Sequence, residues 1–138
     1  MSDQASSDSH DGRVLSIVVP VYQNESSVRQ TLERLLNAHG EAQTNLGLEV
    51  CFVDDGSTDS SWTVLSALAD ERPDVVTVVK LSRNFGQVNA ILAGYEVARG
   101  DAVVTISADL QDPPELLAQM VAQWQQGLER LEQVFREQ

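Results

Sequence analysis

Val14-Leu-Ser-Ile-Val-Val-Pro-Val21 is β-branched or apolar at nearly every position. A strand with one wet face would alternate apolar and polar side chains, whereas a continuous run marks a strand covered on both faces. Such strands belong inside parallel sheets, where helices pack above and below. Outward from this run the pattern supports that choice. After a polar loop, Val28, Leu32, Leu35 and Leu36 recur at helical spacing, with Ser27 and Gln30 placed as a capping box and Gly40 as a stop.

The same unit then recurs. Leu48 to Val53 reads as a second apolar strand, followed by a helix marked by Trp62, Leu65, Leu68 and Ala69 that ends before Pro73. Val75 to Leu81 makes a third strand. Val88, Ile91, Leu92, Tyr95 and Ala98 form one helical stripe stopped at Gly100, and Ala102 to Ser107 is a fourth short strand. Asp112 caps a fourth helix, with Pro114 in its first turn, Leu116, Leu117, Met120, Val121 and Trp124 on its buried face, and Gly127 at its end. Parallel neighbours need right-handed crossovers, so four strand-helix units predict an α/β, Rossmann-like parallel sheet with helices on both faces. Residues 1–13, rich in Ser and Asp, read as a disordered tail, residues 14–127 as the domain, and residues 128–138 as an amphipathic terminal helix through Leu128, Leu131 and Phe135.

A chain of 138 residues fits one domain, and nine basic against twenty-one acidic side chains give a net charge of -12. That field repels nucleic-acid phosphates and anionic headgroups, which argues against a nucleic-acid partner. It would repel a nucleoside diphosphate as well, so binding one would call for a divalent cation between carboxylate and phosphate. The single cysteine, Cys51, lies in an apolar run and reads as a buried, inert thiol in a reducing, cytoplasmic setting. Neither a secretory signal nor an apolar stretch of about 18 residues appears.

In an open parallel sheet, ligands bind beyond the carboxyl ends of the strands. The polar clusters fall there: Tyr22-Gln-Asn-Glu25, Asp54-Asp-Gly-Ser-Thr-Asp59, Ser82-Arg-Asn-Phe-Gly-Gln87 and Asp109-Leu-Gln-Asp112. Asp59 and Thr58 suit helix capping, but two adjacent acids at Asp54 and Asp55 exceed what a cap needs and can accept from a base N–H and ribose hydroxyls. Asp109 and Gln111 alternate around a turn, offering two oxygens to a hard cation, or simply satisfying loop amides. Arg83 is either a diphosphate contact beside a close-approaching Gly86 or a solvated charge. Pro20 and Tyr22 either wall a base-binding slot or close the core edge. His39, near a helix end, has no catalytic partner in the sequence, and Trp62 and Trp124 read as packing. Phosphate cradles of the Gly-x-Gly-x-x-Gly and Gly-Lys-Ser/Thr kinds are missing, as is a Gly-x-Ser-x-Gly elbow. A phospho-accepting regulatory domain would want its acid pair after strand one and a late Lys, and neither is present.

Ser16-Ile-Val-Val-Pro-Val-Tyr22, Val53-Asp-Asp-Gly-Ser-Thr-Asp59, Leu81-Ser-Arg-Asn-Phe-Gly-Gln87 and Ser107-Ala-Asp-Leu-Gln-Asp-Pro-Pro-Glu115 together resemble family 2 glycosyltransferases. The set resembles the branch of dolichol-phosphate mannose synthases and bacterial polyprenyl-phosphate glycosyltransferases, over about residues 14–127. The resemblance implies a GT-A fold that holds a nucleoside-diphosphate sugar. By position, Pro20, Tyr22 and one of Asn24 or Glu25 would line the nucleoside pocket, and Asp54 and Asp55 would hold base and ribose. Asp109 would match the second acid of the family's Asp-x-Asp motif, with Gln111 nearby, anchoring a magnesium or manganese diphosphate. In such enzymes the metal offsets charge on the leaving diphosphate while an acceptor oxygen attacks the anomeric carbon with inversion. A polyprenyl phosphate is the implied acceptor, placing the protein in the cytoplasm or at the cytoplasmic face of the membrane.

The sequence departs from the family pattern in places. Ser107 stands where the motif's first acid is usual, and Gln23-Asn24-Glu25 replaces Asn-Glu-Glu. The acceptor-binding half, the general base and the membrane helices of the family have no counterpart here, so the expected form is truncated. Two functions remain open at this point: sugar transfer, with the missing half or a partner chain supplying the rest, or a non-catalytic module that only binds the sugar nucleotide.

Overall fold

The computed structural model describes residues 12–41 and 45–109, together with helical positions at 119, 122, 123 and 126. Its elements run β1 (Val14–Val21), α1 (Val28–Glu41), β2 (Gly47–Asp54), α2 (Ser61–Glu71), β3 (Val76–Lys80), α3 (Gln87–Val97) and β4 (Ala102–Thr105). The strands form one sheet in the order β3-β2-β1-β4, every pairing parallel. β1 is central, as its unbroken apolar run requires, and pairs with β2 along its whole length from Val14 opposite Gly47 to Val21 opposite Asp54.

Alternate β1 side chains face opposite sides of the sheet. Leu15, Ile17, Val19 and Val21 join Phe52 of β2 and the buried faces of α1 and α2 in one continuous core. Val18 turns the other way, toward Gly94 of α3. Cys51 is fully buried, and burial, with Glu49 adding to it, pushes its thiol up to about 12, so it stays protonated and inert. Trp62 packs against the core edge, with the Lys80 ammonium 5.5 Å from its ring centre.

Several local expectations change. α1 runs through Gly40 to Glu41, so that glycine does not stop it. The Ser27 hydroxyl donates to the Ala108 carbonyl at 2.7 Å, pinning the start of α1 to the loop after β4. β4 ends at Thr105, although the Ile106 amide still reaches the Val18 carbonyl at 3.0 Å. The largest difference is in α3. Its buried residues are Ala90 and Gly94, because a side chain at Gly94 would collide with Val18. The small residues bring the helix close to the sheet, and most of the apolar stripe is left outside, with Val88 71%, Leu92 54% and Tyr95 46% exposed and Ile91 and Ala98 half-buried.

The amino-terminal end of the sheet is closed by a buried acid. Glu49, 4% exposed, accepts from Ser16 Oγ (2.7 Å), Thr77 Oγ1 (3.2 Å), the Arg99 amide (2.9 Å) and Arg99 Nε (3.1 Å). Burial alone would raise its carboxyl, but the Arg99 amide, Ser16 and the Arg99 guanidinium outweigh it and hold the group below the usual glutamate range. Apart from the four helical positions, the expected fourth helix and terminal helix lie outside the described residues, as does most of the N-terminal tail. Among the described residues, no helix is long and apolar enough to cross a membrane.

Candidate functional site

Parallel register puts Val21, Asp54 and Lys80 side by side, so the loops after β1, β2 and β3 open on one edge, joined by the loop after β4. In the first loop, the Tyr22 amide donates to Asn24 Oδ1 at 2.8 Å, and the Asn24 amide donates to Ser61 Oγ at 2.9 Å. Glu25 turns toward α2, its Oε1 accepting from the Ser60 amide at 3.2 Å. Asp59 accepts from the Ser61 amide at 2.9 Å. Burial works against ionisation of Asp59, but the Ser61 hydroxyl and amide and the Glu25 amide prevail and keep its carboxyl below the usual range.

The two adjacent acids part company. Asp54 is fully buried: its Oδ1 accepts from the Ser57 amide at 3.2 Å, and its Oδ2 has no partner among the described residues. Asp55 crosses to the next loop, where Oδ1 accepts from the Phe85 amide at 2.8 Å and Oδ2 from the Gly86 amide at 3.2 Å and Asn84 Nδ2 at 3.3 Å. Loops two and three touch through Gly56, at φ 73°, where a Cβ would strike the backbone of Arg83 and Asn84. Gly86, at φ 100°, has open space where a side chain would be, so its need for glycine is conformational. The Arg83 guanidinium lies 4.7 Å from the Phe85 ring centre.

Between these loops lies a hollow of about 330 Å³. Of the candidates, Pro20, Tyr22, Asn24, Asp55 and Asp109 line it together, while Glu25, Asp54 and Arg83 do not. Gln111 lies outside the described residues. Asn84, Gln87 and Ser107 also line the hollow and were not singled out as site residues. Their signal was position: Asn84 and Gln87 sit in the third polar cluster, and Ser107 at the motif's first-acid place. Tyr22 is 48% exposed, so its ring forms an open wall rather than a core edge.

Among the described residues, no three His, Cys, Asp or Glu side chains converge on a metal. Among the residues that line the hollow, Asp109 and Ser107 carry hard oxygens of the kind suited to magnesium or manganese. Two such ligands would leave room for phosphate oxygens and water, which fits a cation that arrives with a diphosphate.

Residues 16–135 match the family described as Glycosyl transferase family 2. The chain belongs to glycosyl transferase family 2. This family 2 chain is 45% identical over 116 residues to the uncharacterized glycosyltransferase YkcC of Bacillus subtilis, covering 83% of the chain and 34% of that protein. It is 41% identical over 122 residues to an undecaprenyl-phosphate 4-deoxy-4-formamido-L-arabinose transferase of Shewanella sediminis, covering 88% of the chain and 36% of the relative. Among solved structures it is similar to the mannosyltransferase PcManGT of Pyrobaculum calidifontis in complex with GDP-Man and Mn2+, at 26% identity and TM-score 0.65, over 80% of this chain and 32% of that one. The family 2 chain thus spans about a third of the length of these relatives, and the solved neighbour shares the expected α/β, GT-A architecture.

Proposed function

We propose that this chain is the part of a polyprenyl-phosphate glycosyltransferase that binds a nucleoside-diphosphate sugar, of uridine or guanosine, through magnesium or manganese. One observation carries the reading: Tyr22, Asn24, Asp55, Ser107 and Asp109 line a single hollow at the carboxyl edge of the sheet. Tyr22 and Pro20 offer flat surfaces to a base, Asn24 and Asn84 offer amide groups to base or ribose, and Asp109 with Ser107 would hold the cation. When bound, the cation would offset the charge that develops on the departing diphosphate. Asp55 keeps its place in the proposal through loop three, whose amides it holds beside the hollow. Asp54 fixes the turn of the second loop through the Ser57 amide, and Gln111 remains a further candidate metal ligand beside Asp109 and Ser107.

In the transfer, the acceptor oxygen would bond to the anomeric carbon as the bond from that carbon to the diphosphate breaks, with inversion. A phosphate-monoester acceptor loses its second proton near pH 6 or so. Its attacking oxygen is therefore already anionic at neutral pH, and the lack of an assigned base is no obstacle. Such an acceptor would bring the protein to the cytoplasmic face of the membrane.

Calorimetry of the chain with a panel of uridine and guanosine diphosphate sugars, with and without Mn2+, tests the binding step. Metal-dependent binding of at least one sugar nucleotide is expected, and no binding to any would refute the reading. A turnover assay with undecaprenyl phosphate then separates a transferase from a module that binds without transferring.

A further inference from the structure

Gln23 occupies the left-handed region, φ 57°, alone among the described non-glycine residues. Non-glycine side chains adopt that conformation uncommonly, so something must hold it there. Its backbone amide donates to Ser57 Oγ at 2.9 Å. Its side-chain oxygen accepts from the Thr58 amide at 2.6 Å and the Asp59 amide at 3.2 Å, and its Nε2 donates to Thr58 Oγ1 at 3.0 Å. Both ends of the amide are used, which a carboxylate, a hydroxyl or a shorter side chain would not reproduce.

The neighbours of Gln23 give these bonds their meaning. Tyr22 and Asn24, on either side of it, both line the hollow, while Gln23 itself does not. The turn it grips is fixed in turn by Asp54 at Ser57 and abuts loop three at Gly56. We infer that Gln23 is a positioning residue: it braces the first loop against the second and so sets Tyr22 and Asn24 as the nucleoside-facing wall. The inference rests on the proposed nucleotide site and adds which half of the ligand Gln23 serves. Its hydrogen bonds to Ser57, Thr58 and Asp59 all run to the second loop, on the side of Tyr22 and Asn24, so its influence is assigned to the nucleoside and not to the diphosphate.

The test is Gln23→Asn in the full 138-residue chain. Asparagine tolerates the left-handed backbone but is one methylene too short to reach Thr58 and Asp59. Affinities for UDP and GDP with Mn2+ are compared with that for inorganic pyrophosphate with Mn2+. The expected result is nucleotide binding weakened about tenfold, near the effect of one or two lost hydrogen bonds, with pyrophosphate binding unchanged. The thermal midpoint should stay within about 3 °C of the parent. Gln23→Gly, which relieves the backbone and removes the brace, should behave the same way. Unchanged nucleotide affinity would overturn the positioning role while leaving the functional reading intact. An equal loss for nucleotide and pyrophosphate, with a fallen midpoint, would overturn it too, as a general structural effect. A parent chain that binds neither ligand would sink the functional reading and this inference with it.

Discussion

Buried carboxylates stand at both ends of the sheet, and they are held differently. At the amino-terminal end, Glu49 receives hydrogen bonds from Ser16 of β1, Thr77 of β3 and Arg99 of the turn between α3 and β4. At the carboxyl end, Asp54 keeps one oxygen without a partner among the described residues, Asp55 spends its oxygens on the backbone of a loop, and Asp109 lies exposed beside the hollow. A saturated acid bound to regular elements is a strut, since removing it strands several donors. Acids that hold loops or line an open hollow brace no pair of regular elements, so replacing them should disturb the site more than the fold.

Replacing Glu49 should therefore show the largest effect on stability. Glu49→Ala is expected to cost about 2–3 kcal/mol in urea unfolding, since it strands the Ser16 hydroxyl and the Arg99 amide, while sugar-nucleotide affinity stays near parental. A loss below about 0.5 kcal/mol would break the contrast between the two ends.

Asp109→Asn should invert that pattern. Loss of Mn2+-dependent nucleotide binding by a hundredfold or so is expected, about 2.7 kcal/mol, with unfolding free energy nearly unchanged. Equal affinity for parent and variant by calorimetry would remove Asp109 from the metal assignment.

The pH dependence of stability sharpens the comparison further. The folded-state carboxyl of Glu49 titrates below its unfolded value, so its contribution is present above roughly pH 4.3 and is lost as pH falls through the folded value. Glu49→Gln should flatten that acid limb in denaturant titrations at stepped pH, and an unchanged limb would remove Glu49 from this role.

The smallest effect is expected on the outer face of α3. Leu92→Ser should change stability by no more than about 0.5 kcal/mol in the same urea titration, because the residue is 54% exposed and the helix is held by Ala90 and Gly94. A cost above about 1.5 kcal/mol would mean that the stripe is covered in solution.

Much of the architecture was legible because it is periodic. The unbroken Val14–Val21 run placed a central parallel strand, and polar clusters at strand ends could only collect on one edge. Periodicity failed at α3 because an apolar stripe states which residues share a face and says nothing of which face meets the sheet. There the decisive residues were the small ones, Ala90 and Gly94. The adjacency of Asp54 and Asp55 also carried an unused consequence. Successive strand residues point to opposite sides, so two neighbouring acids at a strand end are not expected to share one hollow. Asp54 closes β2 inward, and Asp55 reaches the hollow. Glu49 and Gln23 were the least legible, since their partners lie 28 to 50 and 34 to 36 positions away in the chain.

The most direct test of the oxygen-lined hollow is an electron paramagnetic resonance titration of Mn2+. The six-line signal of free Mn2+ should persist when the protein alone is added and fall when a uridine or guanosine diphosphate sugar is added as well, beyond the fall the nucleotide causes by itself. With Asp109→Asn that extra fall should vanish. A signal that the protein never alters in the presence of any sugar nucleotide would contradict the account.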